Sequence, residues 1–210
     1  ITFINVGYGD AILLQGDNGY TALLDGGSNL DEEFADDCFR IRAVDYLQKL
    51  GITHLDDVII SHIHEDHVCG LEEVLRHIPT DRLSVPYFLK PLSSAHPLTP
   101  VPQAPRSVVL YTEALNAYCR ILNQRLQSGQ AVRVLRAGER PPLTEGLAAT
   151  ILGPQPASIQ HYMRRIEQVF ESKTEEAVTK LVGEHDATYN HTSLLIKFEK
   201  AGLSPLAPAD

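Results

Sequence analysis

No apolar run in this chain approaches the roughly 20 residues that span a bilayer, so no segment reads as a transmembrane helix. Cysteine is scarce. Cys38, Cys69 and Cys119 are widely spaced and odd in number, which excludes a disulfide framework and suits a reducing, cytoplasmic compartment. Positive charge is in deficit: 18 Lys and Arg stand against 27 Asp and Glu, a formal net charge of -9. That balance argues against broad, nonspecific attraction to nucleic acid. A phosphate-cradling glycine loop is also missing, because Gly7-Tyr8-Gly9 is too short and lies in a hairpin context. No Ser-His-Asp or Cys-His nucleophile need be invoked, and no short repeat period appears.

What is there is ordinary in bulk and unusual in one place. The 210 residues, 43% hydrophobic and 21% charged, suit one soluble globular domain or one large part of a domain. The chain begins at Ile1 rather than Met, which leaves room for a removed leader before it. The unusual place is Ser61-His62-Ile63-His64-Glu65-Asp66-His67, a His-x-His-x-Asp-His cluster. Three of the nine histidines fall within these six residues, a density that an incidental polar loop has no reason to show. The cluster follows apolar Val58-Ile59-Ile60 and precedes a helical pattern from Val68. An extended stretch sends alternate side chains to one side, so His62 and His64 can share one metal ion. Asp66 and His67, at the turn into the helix, can address a second. Imidazole and carboxylate are ligands that zinc, manganese and iron accept. Cys69 could offer a thiolate nearby, but a small thiol in a first helical turn reads better as a buried residue.

The pattern elsewhere is β-rich, then helix, strand, ligand loop and helix, then β-rich again. Strands are expected at Thr2–Val6, Ala11–Gln15 and Tyr20–Leu24, with Gly16-Asp17-Asn18-Gly19 as a hairpin turn. A helix over Ile41–Leu50 carries Ile41, Val44, Leu47 and Leu50 on one face and ends at Gly51. Val68, Leu71, Val74, Leu75 and Ile78 recur at helical spacing before Pro79. Residues 84–105 are proline-rich and irregular. A helix follows at 107–127, strands at Val132–Leu135 and Leu147–Leu152, helices within 157–182, a strand at Thr192–Glu199, and an extended end over Leu203–Asp210. This is an α/β layered fold with mixed sheets.

At these residues the chain resembles the metallo-β-lactamase superfamily. Within it, Val6-Gly7-Tyr8-Gly9-Asp10-Ala11, Leu24-Asp25-Gly26-Gly27, Asp66-His67 before Gly70-Leu71, and Asn190-His191-Thr192-Ser193-Leu194 are similar to the hydrolase domain of ComEC/Rec2-type DNA-uptake competence proteins. The resemblance spans nearly the whole chain in order, with a divergent middle from about residue 84 to 185. It implies a four-layer αββα sandwich of two mixed sheets, with two divalent metals, zinc first and manganese or iron as alternatives, at one sheet edge. His62 and His64 would hold the first ion; Asp66 and His67 the second. Asp25 would lie beneath the site and orient ligand imidazoles, a role compatible with its place in the turn before Gly26-Gly27. Asp10 would satisfy backbone groups in the tight glycine turn. A further histidine is expected from the second half. His191 is the candidate, with a capping or surface histidine as the other reading, and His185 and His161 are poorer choices. Asp210 stands where the family bridges both ions, in a loose Pro208-Ala209-Asp210 match. The family's final histidine would fall beyond Asp210, so the single domain over 1–210 is expected to lack its C-terminal part.

The activity so implied is metal-dependent hydrolysis by a metal-bridging hydroxide, with Asp66 both binding metal and orienting the nucleophile. A phosphodiester or related phosphate ester, in a small molecule or a nucleic acid, is the expected substrate. A thioester, lactone or lactam is the near alternative, and a noncatalytic metal-bound module is a reading from another class. An iron pair in redox service would call for an appended flavin domain. Residues 84–130 and 155–185 are the expected walls or lids of the site.

Overall fold

The computed structural model describes residues 1–35, 39–88, 97–144, 147–185, 192–199 and 206–207. Its first sheet runs in chain order through six strands: β1 (Thr2–Phe3), β2 (Ile12–Gln15), β3 (Thr21–Leu24), β4 (Leu55–Ile59), β5 (Thr80–Val85) and β6 (Ala131–Val134). β1 to β3 form an antiparallel meander, and β3 to β6 run parallel, so this sheet is mixed. Parallel neighbours cannot be joined by a tight turn. The crossovers carry α1 (Ala43–Lys49), then α2 (Glu65–Val68) and α3 (Leu71–His77), then α4 (Arg106–Gln127).

A second sheet follows in the order β10 (Leu206–Ala207), β9 (Leu195–Glu199), β8 (Leu147–Gly153), β7 (Pro142–Thr144). Its described pairs are all antiparallel, where a mixed sheet was expected. Apart from the β8-to-β9 passage through α5 (Pro156–Glu171) and α6 (Glu175–His185), these strands are joined by short links, and short links join antiparallel neighbours.

Period-two alternation divides the first sheet's side chains between two cores. On one face Leu13, Leu23, Val58 and Leu83 lie in register across β2 to β5. All four are fully buried and pack on the helices. Helix α4 answers with Val108, Tyr111, Leu115, Tyr118 and Leu122, alternating three and four residues apart as a buried helical stripe must. On the other face Ile12, Leu14, Ala22, Leu24 and Ile59 meet Ala149, Ile151, Ile196 and Phe198 of the second sheet. Three layers result: helices, sheet, sheet. The outward face of the second sheet carries Leu152, 39% exposed. A helical layer covering it is not among the described residues.

Four local expectations differ from what forms. Leu50 is 49% exposed, because α1 stops at Lys49 and Leu50 is the capping residue turning toward Gly51. Only Thr2–Phe3 of the first strand pairs, since the chain bends away toward Gly7 after Ile4 donates to the Ala11 carbonyl. The helix expected from Val68 to Ile78 is divided at Gly70. A Cβ there would stand 2.1 Å from the Gly26 carbonyl oxygen, so the break lets two backbones touch. Strand β5, hidden from sequence reading, sits in the middle of the parallel region. Its polar Arg82 and Ser84 are accommodated by buried Asp57 of β4, at 2.7 Å from Arg82 Nε and 3.0 Å from Ser84 Oγ. Burial pushes the Asp57 carboxyl up, and these two donors oppose the shift. Buried Arg125 of α4 ties the start of the same strand by donating to the carbonyls of Thr80 and Asp81.

The inter-sheet core sets a stability test. Phe198→Ala should cost about 3–5 kcal/mol, read as a lowered denaturant midpoint. Leu152→Ala, on the outward face, should cost under about 1 kcal/mol.

Candidate metal centre

The carboxyl ends of parallel strands are where layered α/β folds place their sites. Here β3 ends at Leu24 and β4 at Ile59, side by side in register. The residues that follow, Asp25 and Ser61 onward, are therefore delivered to one edge. The Asp25 amide donates to the Ile59 carbonyl at 2.9 Å. Asp25 then adopts φ +57, a left-handed conformation that Asp and Asn tolerate better than most residues. This turns its buried carboxylate toward the ligand loop.

That carboxylate organises three neighbours. Ser61 donates its amide to Oδ1 at 2.8 Å and its hydroxyl to Oδ2 at 2.5 Å. His67 Nδ1 stands 3.0 Å from Oδ2. The Ser61 hydroxyl proton is thereby committed to Asp25, so Ser61 Oγ accepts from His62 Nδ1, 2.8 Å away. His62 is buried, and burial, with the nearby His67 and His64 rings, drives its pKa far down. A neutral His62 protonated at Nδ1 presents a lone pair at Nε2. His64 Nδ1 faces that lone pair at 2.9 Å. Two bare nitrogen lone pairs repel, so a proton or a cation belongs between them. Two nitrogen ligands on one tetrahedral zinc stand roughly 3.3 Å apart at ordinary Zn–N lengths, so the pair would have to open slightly to share an ion.

His67 is oriented by the same logic. With Nδ1 donating to Asp25, the buried Nε2 faces away from Asp25, 3.9 Å from Asp66 Oδ1. Burial works against a charged His67. The hydrogen bond to Asp25 and the charges of Asp25, Asp66 and Asp10 outweigh it and hold the imidazole up at about 9. A metal ion held at Nε2 would take the place of that proton. The ligand atoms of Asp25, His62 and His67 all lie within 4.8 Å of one another. Asp25 nonetheless has both oxygens engaged with Ser61 and His67, which favours a supporting role over ligation.

The surroundings hold the loop still. Glu65, buried within the cluster, accepts from the Ser28 hydroxyl at 2.7 Å and from the Asn29 amide at 3.2 Å. Gly26 donates to the His67 carbonyl at 2.8 Å. A Cβ on Gly9 would stand 1.8 Å from the Asp66 carbonyl oxygen, so the β1–β2 loop is pressed directly on the ligand turn. Tyr111 of α4 meets the His64 ring edge-on at 5.9 Å, and its hydroxyl stands 2.6 Å from that of Tyr162. Cys69 is fully buried, and burial pushes its thiol far up, so it is an inert packing residue.

The structure thus brings Asp25, His62, His64, Asp66 and His67 together. His191 and Asp210 lie outside the described residues, as does Asn190. Among the described residues, the Leu194 amide donates to the Ser61 carbonyl at 3.0 Å, so the residue entering β9 abuts the ligand loop. His161 is exposed and His185 buried on α5 and α6. Sequence reasoning missed the linking role of Ser61, the Glu65–Ser28 brace and the Tyr111 buttress. Only Ser61 had a signal available, a small hydroxyl at a strand end directly before the first histidine.

A mixed sheet whose parallel strand ends converge buried imidazoles and carboxylates defines a protein of the divalent-metal-binding α/β class. The family model of the metallo-β-lactamase superfamily matches residues 4–164, and the chain belongs to that superfamily. A search among curated proteins finds no match. Among solved structures, the subclass B3 metallo-β-lactamase MEM-A1 from a soil metagenome library is similar at 15% identity and TM-score 0.46, over 98% of this chain and 56% of that one. Zn(2+)-bound PqqB from Methylobacterium extorquens is similar at 11% and 0.41, over 94% and 51%. A diphosphatase of the PhnP family is similar at 17% and 0.33, over 68% and 42%. The chain spans about half the length of the first two.

Asp25→Asn tests the orienting role, because Asn accepts the same backbone conformation while removing the charge. Metal affinity should fall about 10–100-fold, measured by competition with a chromophoric chelator. An unchanged affinity would show that Asp25 serves the turn alone.

Proposed function

We propose that this chain is a metal-dependent hydrolase of a phosphodiester or related phosphate ester, similar in kind to the hydrolase domain of ComEC/Rec2-type competence proteins. The observation that carries this reading is the relay from Asp25 through Ser61 to His62, and from Asp25 to His67. It fixes the Nδ1 side of both imidazoles and turns Nε2 of His62 and of His67 away from these partners, the orientation metal ligation needs.

His62 through Nε2 and His64 through Nδ1 would hold one ion; Asp66 and His67 through Nε2 would hold the other. His191 and Asp210 are proposed as the additional ligands. Zinc is the first choice of metal for this donor set, with manganese or iron next. Divalent ions bound there would supply Lewis acidity toward a phosphoryl oxygen and water that ionises near neutral pH. Asp66, whose side chain is 33% exposed, can orient the attacking water from the cavity side. His64 is half-buried on the same wall and is held against Tyr111. The net charge of -9 leaves the local field of the metals, rather than the whole molecule, to draw in an anionic substrate. Among the described residues, no helix is long and apolar enough to cross a membrane.

The test combines elemental analysis with hydrolysis. About two transition-metal ions per chain and turnover of bis(p-nitrophenyl) phosphate are expected. His64→Ala should abolish turnover while far-ultraviolet circular dichroism is retained. Turnover of a thioester or a lactam in place of the phosphodiester would move the substrate from the phosphoryl to the acyl class. Full activity in His64→Ala would overturn the assignment.

A further inference from the structure

His64 and Asp66 open onto a cavity of about 490 Å³ whose walls also include Tyr8, Leu30, Arg106, Leu110 and Tyr111. That size suits a small organic ligand. Two of the walls are aromatic, and they differ in kind. Tyr111 is fixed: it is 3% exposed, its hydroxyl is engaged with Tyr162, and its ring meets His64. Tyr8 is presented: it is 66% exposed, although it stands within two residues of a backbone pressed on Asp66.

The loop that carries Tyr8 is built for that placement. Gly9 has φ +74 and touches Asp66 so closely that no side chain could replace its hydrogen. On the other side of Tyr8, Gly7 has φ +92 and a Cβ there would stand 2.9 Å from the Arg40 side chain. Arg40 pairs with Glu33 at 2.8 Å and sets its guanidinium 5.6 Å from the Tyr8 ring centroid. Two glycines and a braced cation thus hold a large apolar ring in water beside a candidate active site. Beyond the Arg40 contact, little in the folding of the chain rewards that exposure, since the ring contributes almost nothing to the core. A ligand ring would reward it.

Resting on the phosphoester reading above, we propose that Tyr8 is a specificity-determining residue that seats a planar ring of the substrate against the cavity wall, next to the metal donors. The substrate class is an ester of phosphate that carries a base or an aryl group beside the reacting phosphorus. Carboxylates of Glu33, Glu65 and Asp66 face this cavity with Arg106, and Arg106 is itself paired with Glu32. Protein charge alone therefore does not hold an anion there. The anionic part would rest on the metals and the flat part on Tyr8.

Phenylphosphonate and methylphosphonate share one headgroup and differ only in the ring, so the ratio of their dissociation constants on the metal-loaded full chain reads the ring contact. The wild type should bind phenylphosphonate roughly tenfold tighter, the size of one base-on-aromatic contact. Tyr8→Ala should bring the ratio near one at unchanged metal content, and Tyr8→Phe should keep it. A ratio that survives Tyr8→Ala overturns the proposal. Equal binding of the two phosphonates by the wild type also overturns it and leaves the phosphoester reading standing. Failure of both to bind overturns the phosphoester reading and the proposal together.

Discussion

One carboxylate underlies the site. Asp25 sits in a left-handed backbone conformation at the end of β3 and receives two donors from Ser61 and one from His67. A buried carboxylate is costly unless its lone pairs are satisfied, and here every donor belongs to the ligand loop or the helix after it. The need to satisfy Asp25 and the need to aim the histidines are therefore met by the same bonds. The loop cannot shift without stranding a buried charge, which is what keeps the imidazoles in place before any ion arrives.

This arrangement depends in turn on parallel pairing. β3 and β4 run in the same direction through a crossover containing α1, so their carboxyl ends lie adjacent. An antiparallel pair would have put Asp25 and Ser61 at opposite ends of the sheet. The sandwich then adds the second half: the hydrogen bond from Leu194 to Ser61 draws the entry of β9 to the same edge. Glycines 26 and 70 let the two loops close on each other, with the Gly70 amide donating to the Gly27 carbonyl at 2.9 Å. Rigidity beneath the donors contrasts with the wall above them, where Tyr8 and Arg106 stand in water. A site that holds its metal ligands stiffly and keeps its substrate wall exposed separates the part that must not move from the part that meets a ligand.

Legibility follows sequence distance. The α/β class, the meander, α4 and the ligand cluster were readable because each is encoded within a window of a few residues: alternation for strands, three-and-four spacing for the helix, and a dense run for the cluster. Strand β5 was not, because its polar residues look like loop until Asp57, twenty-five residues earlier, is seen to pair with Arg82. Ser28 bracing Glu65 joins residues 37 apart, and Tyr111 with Tyr162 joins residues 51 apart. No local pattern reports such a pair.

By itself the sequence determined the chemistry available: which side chains can ligate a metal, that they cluster after a strand, and that an Asp stands in a glycine turn. Those are properties of residue type and short spacing, set by covalent geometry and local propensity. Tertiary structure alone decided how that chemistry is aimed. Which nitrogen of His62 and His67 is left facing the other ligands depends on Ser61 and Asp25 meeting across adjacent strands. Which ring walls the cavity depends on a loop near residue 8 and a helix near residue 111 closing over the same turn. Both are consequences of packing between segments distant in sequence, where contact is fixed by the whole sheet and its crossovers.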